Sequence, residues 1–213
     1  MCPEHGNFIP QNAAEDVVYA NKDSIPYFLA KAINPRKFIG KVQEKCWKKQ
    51  SEELFPRLIA LMDDCHLQPE DIDQIVISKG PGSYTGVRIA MTVAKVFCAM
   101  ADKPIHTVST LLLYAGKKNC RVVTDARGKR VYTCLFNDGK ALEEERAVEI
   151  EDLEIGDVNI VGDGALVGRQ DEWPDIVDNF LELKDEWEKH DNVHLVVPEY
   201  LKSSASYLPQ KKA

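Results

Sequence analysis

No two of the six cysteines, at positions 2, 46, 65, 98, 120 and 134, form a CxxC pair. That removes the sequence basis for a zinc knuckle or a thioredoxin-type motif. Cys65, Cys98 and Cys134 fall among apolar neighbours, where a free thiol behaves as a small hydrophobe. A reducing cytosol is the expected setting. No run approaches 18 apolar residues, and the start MCPEHGNFIPQ has no apolar signal core, so neither membrane insertion nor secretion is expected. Positive charge is in deficit as well: 27 Lys and Arg against 34 Asp and Glu leave a net charge of -7. Affinity for nucleic acid rests largely on neutralising phosphates, so such contact would have to come mainly from a basic partner. Internal repeats and low-complexity tracts are also missing.

What is present is a chain of 213 residues, 44% hydrophobic and 29% charged, long enough to bury a core without metal or disulfide. Residues 1–16 read as a polar leader without periodicity, expected to be loose. Three β-like runs follow, Val17–Ala20, Tyr27–Ile33 and Lys37–Cys46. From about Ser51 the period becomes helical, with Leu54, Phe55, Leu58, Leu61, Met62 and Cys65 three and four residues apart and Ser51 as N-cap. Pro56 lies deep for a first turn, which would move the start a residue or two later. Ile72–Ser78 reads as a buried strand, Gly80-Pro81-Gly82 as a loop, and Tyr84–Met100 as a long helix ended by Asp102-Lys103-Pro104. Ile105–Val108 is a short strand, and Ser109 caps a helix through Tyr114. Three strands come next, in RVVTDA, in KRVYTCLFN and near Arg146–Ile150, joined by Arg127-Gly128 and by Asn137-Asp138-Gly139, a strong hairpin signal. Glu143-Glu144-Glu145 reads as a solvated turn, Asn159–Val161 as a strand, and Asp171–Leu183 as helical. The order predicts a mixed α/β protein with a first lobe over residues 17–112 and a smaller second lobe over 113–213.

The most specific segment is IVISKGPGSYTGVRIAMTVAKVFCAM, a strand running through a glycine loop into a helix. Such a layout can bind an anion, because glycines let backbone N–H groups approach a ligand at a helix N-terminus. A P-loop would need Lys and then Ser or Thr after its last glycine, where Val87-Arg88 follow Gly86. The spacing of Gly80, Gly82 and Gly86 is one residue off the dinucleotide fingerprint. A tight structural turn therefore stands beside phosphate cradling, for which Gly80, Gly82, Gly86 and Asp163 are the weak candidates. Asp125 and Asp163 sit at strand ends, where a carboxylate either orders a turn or does chemistry. His190 and His194 would form a metal pair on a helix, but their surroundings read as loop or strand and no third ligand is evident. Gly86, Ala90, Ala94 and Cys98 recur at every fourth position, a row that permits close approach of another helix, with the row packed either inside its own domain or against a partner.

SKGPGSYTGVRIAMTVAKVF closely resembles the glycine signature of the TsaB family. WKKQSEELFPRL resembles that family's first helix, HTVSTLLLYA its inter-lobe helix, and TDARGKRVYTCLF the hairpin opening its second lobe, with VGDGA and VPEYLK as weaker matches. Together they cover roughly residues 38–202 in the family's order. The resemblance implies an actin/Hsp70/sugar-kinase-like (ribonuclease H-like) two-lobed fold with a reduced second lobe. It implies a scaffold that carries no chemistry, binding and activating the related catalytic transferase TsaD. With a small ATPase subunit and a threonylcarbamoyl-adenylate synthase, that pair makes threonylcarbamoyladenosine beside the tRNA anticodon. It also implies no cofactor of the chain's own, ATP being bound by the partner or at the subunit junction, a homodimer when alone, and only indirect contact with tRNA. The family's catalytic relative uses a helical His pair in its first lobe, whereas residues 46–110 here hold only His66 and His106. The expected partner interface is Leu54, Leu58, Leu61 and Met62 on one helix with Gly86, Ala90, Ala94 and Cys98 on the next. One departure stands out: the family's first strand ends in Asp-Thr-Ser, and the stretch here is VVYANKDS, with Asp23-Ser24 as a shifted remnant. The competing readings are a small ATP-binding kinase or ATPase of the same fold group, and a dinucleotide-binding enzyme, which the β-meander over 120–150 argues against.

Overall fold

A computed structural model describes the backbone of residues 16–19, 24–31, 37–45 and 50–201, with side chains from residue 52 onward. The leader over 1–15 and Asp23 lie outside these residues. Among the described residues the first sheet has six strands, which from edge to edge are the eleventh, fifth, fourth, first, second and third of the chain. β1 (Asp16–Tyr19), β2 (Ser24–Lys31) and β3 (Lys37–Lys45) run antiparallel to one another, while β4 (Ile75–Gly80) lies parallel to β1 and to β5 (Ile105–Ser109). All three β-like runs of the N-terminal part are thus strands, and the first holds a central place. The edge strand β11 (Glu188–His190) comes from the chain's far end and pairs antiparallel with β5. Three residues long, it carries no alternation that could announce it.

A second sheet of five strands is built from β6 (Cys120–Asp125), β7 (Arg130–Asn137), β8 (Lys140–Ala141), β9 (Arg146–Glu149) and β10 (Ile160–Gly162). The hairpin at Asn137-Asp138-Gly139 joins β7 to β8, with positive φ at Asp138 and Gly139, the backbone that matches the twist of paired strands.

β4 shows why a continuous apolar run is needed. Successive side chains of a strand point to opposite faces. Ile75 and Ile77 enter a core with α1 (Gln50–Asp64) and α2 (Tyr84–Ala101), whereas Val76 enters a second core with α3 (Thr110–Ala115) and the second sheet. α3 lies between the two sheets, with Leu111, Leu113 and Ala115 fully buried. Its boundaries follow the expected cap: Ser109 Oγ accepts the N–H groups of Leu111 and Leu112, and Gly116 closes the helix with φ +56°.

Two helix boundaries differ from expectation. α1 begins at Gln50, so Ser51 lies within it and Pro56 sits inside the helix. Pro56 is exposed, and water can satisfy the carbonyl one turn before it that receives no hydrogen bond. The stretch over 171–183 is helical only from Ile176 to Glu182 (α4), because Pro174 precedes the cap Asp175, whose carboxylate accepts from Val177 and Asp178. α2 is long and apolar enough by length and composition to cross a membrane, although Arg88 and Lys95 interrupt its apolar run. Here it is a core helix, with Gly86, Val87, Ala90, Met91, Ala94 and Cys98 buried.

Candidate functional site

The glycine loop leads from β4 into α2 through a cis Gly80-Pro81 bond, with Ser83 as the N-cap. Gly80 has φ +112°, and a Cβ there would stand 2.7 Å from the carbonyl oxygen of Glu199. The Glu199 N–H donates to the Lys79 carbonyl at 2.7 Å. The loop's close approach is therefore made to the chain's own C-terminal segment. One residue on, Tyr200 stacks on Tyr84 with ring centroids 5.3 Å apart. Gly82 is half-buried in the turn, and Gly86 is buried in the first turn of α2. At the end of β10, Asp163 accepts the Asp125 N–H at 2.6 Å and donates its own N–H to Val123 at 2.8 Å. A Cβ on Gly162 would meet the Val123 carbonyl at 2.3 Å, and one on Gly164 the Gln170 carbonyl at 2.1 Å. Asp125 accepts the Arg127 N–H at 2.7 Å, which fits the turn-ordering alternative. Gly80, Gly162, Gly164 and Asp163 thus each hold a backbone crossing in place, and Asp125 orders the turn that follows β6.

The row Gly86, Ala90, Ala94 and Cys98 does not face outward, and the expected interface needs correction. Ala90, Ala94 and Cys98 are 2–4% exposed and share a core with Leu54, Leu61, Ile75 and Ile77, while Leu58 and Met62 are half-buried against it. The small side chains let α2 lie close against the sheet of its own domain, and that packing takes the whole stripe. The outer sides of the two helices carry other residues. Phe55 and Ile59 on α1 are 52% and 56% exposed, and Val96 and Met100 on α2 are 52% and 84% exposed. Phe55 and Ile59 are one turn apart, as are Val96 and Met100, so each pair makes a short outward stripe. Sequence periodicity could not select them, because both faces of these helices are apolar.

The two His residues of the H-x-x-x-H run stand in β11 and in a 3-10 turn, as the loop-or-strand reading expects. His190 Nε2 hydrogen-bonds Thr107 Oγ1 at 2.8 Å, and His194 is exposed. Among the described residues, no three His, Cys, Asp or Glu side chains gather in a way that could hold a metal.

The acidic run is not a solvated turn throughout. Glu143 forms an ion pair with Arg121, which is 7% exposed. Glu145 turns inward and accepts the hydroxyl proton of Ser109, the residue that caps α3. Burial pushes the Glu145 carboxyl up to about 7; the Ser109 hydrogen bond opposes this, Glu199 adds to it, and Lys79 opposes it. Lys79 itself bridges Glu188 at 3.2 Å and Glu199 at 3.4 Å, so β4, β11, the C-terminal segment and the loop before β9 meet at one charged cluster. Three consecutive glutamates give no local hint of this, since the buried partners are at least 22 residues away.

A family model described as TsaD, tRNA N6-adenosine threonylcarbamoyltransferase, matches residues 28–154, more than half of the chain. Among curated proteins, the tRNA threonylcarbamoyladenosine biosynthesis protein TsaB of Bacillus subtilis (strain 168) is 40% identical over 94 residues, 42% of this chain and 41% of that protein. The TsaB of Buchnera aphidicola subsp. Acyrthosiphon pisum is 29% identical over 116 residues, 51% of this chain and 52% of that protein. The matched part of the chain thus spans about half the length of these relatives. A solved structure of an uncharacterized Pseudomonas aeruginosa protein with similarity to peptidase YEAZ superposes with a TM-score of 0.72, at 18% identity, over 90% of this chain and 100% of that one. YeaZ from the same organism gives 0.70 at 18% identity, over 87% and 99%. The fold is the actin/ribonuclease H-like fold expected from the glycine signature.

Proposed function

This chain belongs to the family of the tRNA N6-adenosine threonylcarbamoyltransferase TsaD, and on that premise we propose that it is a non-catalytic scaffold in the formation of threonylcarbamoyladenosine in tRNA. It docks on a catalytic TsaD-like subunit and activates it, in a cytoplasmic complex that also holds a small ATPase. ATP is bound by the partner or at the subunit junction, and tRNA is contacted mainly through the partner. The observation that carries this reading is the apolar outer face of α1 and α2. Phe55, Ile59, Val96 and Met100 each leave half or more of their surface in water, and large exposed apolar side chains paired one turn apart on two helices that share a core support an interaction surface there. The names of the TsaB relatives place such chains in threonylcarbamoyladenosine biosynthesis. A scaffold rather than a self-sufficient ATPase is supported by the glycine loop, where the Glu199 backbone packs so close to Gly80 that a Cβ there would meet its carbonyl oxygen.

Titration of the purified chain with the TsaD-like subunit tests this. Ile59→Glu and Val96→Glu should each weaken binding about tenfold or more, equivalent to about 1.4 kcal/mol, and lower tRNA modification in the reconstituted mixture. Both side chains are exposed, so thermal unfolding should stay within a degree or two. Unchanged binding by both variants would remove this face from the interface, and ATP turnover by the chain alone near 1 s⁻¹, an ordinary enzyme rate, would remove the scaffold.

A further inference from the structure

A groove of about 570 Å³ runs between the flank of α2 and the C-terminal segment, lined by Arg88, Met91, Lys95, Val96, Val197 and Tyr200 among others. No carboxylate is among its described lining residues, on a chain whose net charge is -7. Its two permanent cations are held in place by uncharged oxygens. Lys95 Nζ donates to the carbonyls of His194 at 2.9 Å and Val196 at 2.8 Å, which leaves one of its three N–H donors open. Arg88 donates to the Tyr84 hydroxyl at 2.9 Å, lies 5.2 Å from the centre of that ring, and also bonds Tyr200, which leaves further guanidinium donors unused. Two fixed cations with no carboxylate partner among the described residues, beside an apolar floor of Met91, Val96, Val196 and Val197, suit a ligand that is both anionic and apolar.

We propose that this groove takes an extended acidic segment of the partner subunit, with two carboxylates three residues apart and apolar side chains between them. The inference rests on the reading that α1 and α2 face a partner, since Val96 belongs both to that face and to the groove. The spacing follows from geometry. Arg88 and Lys95 are seven helical residues apart, about 10 Å along α2, and a chain extended in the polyproline II form, with three residues per turn and about 3.1 Å per residue, brings side chains three residues apart back to one face about 9 Å on. A nucleic-acid strand fits less well: the apolar floor offers nothing to phosphates, Tyr84 and Tyr200 already stack on each other, and the acidic chain repels a polyanion.

The probe is a short fluorescent peptide with blocked ends carrying Asp-Leu-Val-Asp, titrated into the full chain and followed by polarisation. Saturable binding is expected, weakened about tenfold or more by the paired substitutions Arg88→Gln and Lys95→Met, and lost with the Asn-Leu-Val-Asn peptide. Thr92→Glu, which places a carboxylate at an exposed lining position without removing a hydrogen bond of Lys95, should weaken it too, so the result stands even if the paired variant folds poorly. Absence of saturable binding at millimolar peptide, equal binding by Thr92→Glu, or equal competition by an oligonucleotide of the same charge would overturn the proposal. Ile59 does not line the groove, so loss of peptide binding with an intact effect of Ile59→Glu on the subunit would fault the groove alone. The reverse pattern would fault the docking face.

Discussion

Glu145 is a buried carboxyl whose titration is moved into the range near neutral pH. Its carboxyl sits at about 7 in the folded chain because it is buried, against an ordinary value of 4.5. A carboxyl raised on folding makes the charged form costly in the native state, so its cost is absent below about pH 4.5, grows between the two values, and is complete above about pH 7. Stability should therefore fall across that window by about 3 kcal/mol from this group. Glu145→Gln keeps an oxygen that can accept the Ser109 hydroxyl and removes the titration. Unfolding temperatures at pH 5 and pH 8 should differ clearly in the parent chain and much less in the variant; an equal drop in both would assign the pH dependence elsewhere. Gly80 and Gly162 are positions whose identity the fold demands, because a side chain at φ +112° or +105° would also run into the Glu199 or the Val123 carbonyl.

At the scale of elements, the α2 helix has two working faces. Its small-residue face lies on the sheet, with Ala94 4% exposed beside Leu54 and Ile77, and its opposite face carries Val96 and Met100 into water. A large residue forced into the first face has no room, because core packing is already near crystal density. Ala94→Leu should cost about 1–3 kcal/mol in chemical unfolding, and its folded fraction should still bind the TsaD-like subunit normally. A variant of full stability that fails to bind would return the stripe to the interface. α3 works differently, as the short helix that both sheets enclose, and Ser109 at its cap ties it to Glu145 from the loop preceding β9.

For the whole molecule, charge decides what the chain can do by itself. With a net charge of -7 and Lys79 already paired to Glu188 and Glu199, the isolated protein offers little to a polyphosphate. Filter binding at physiological salt should find tRNA affinity for the chain alone no tighter than the ordinary non-specific range of about 10⁻⁴–10⁻⁶ M, and addition of the TsaD-like subunit should raise it. Submicromolar binding by the chain alone would contradict an indirect role.

What the sequence determined by itself was local. The strand β4, the glycine loop, α2 from Tyr84, the Ser109 cap and the hairpin at Asn137-Asp138-Gly139 were legible because each rests on interactions within a few residues: period, cap hydrogen bonds and turn dihedrals. The glycine signature also led to the family and its fold. Tertiary structure alone decided which apolar face of α1 and α2 turns inward, since a periodic pattern records that a face is apolar and not what it meets. It also brought Glu145 to Ser109 and Lys79, set the Glu199 backbone against Gly80, and returned β11 to the edge of the first sheet. Those contacts join residues 36 to 119 positions apart, and only the burial gained when the whole chain closes can hold them together.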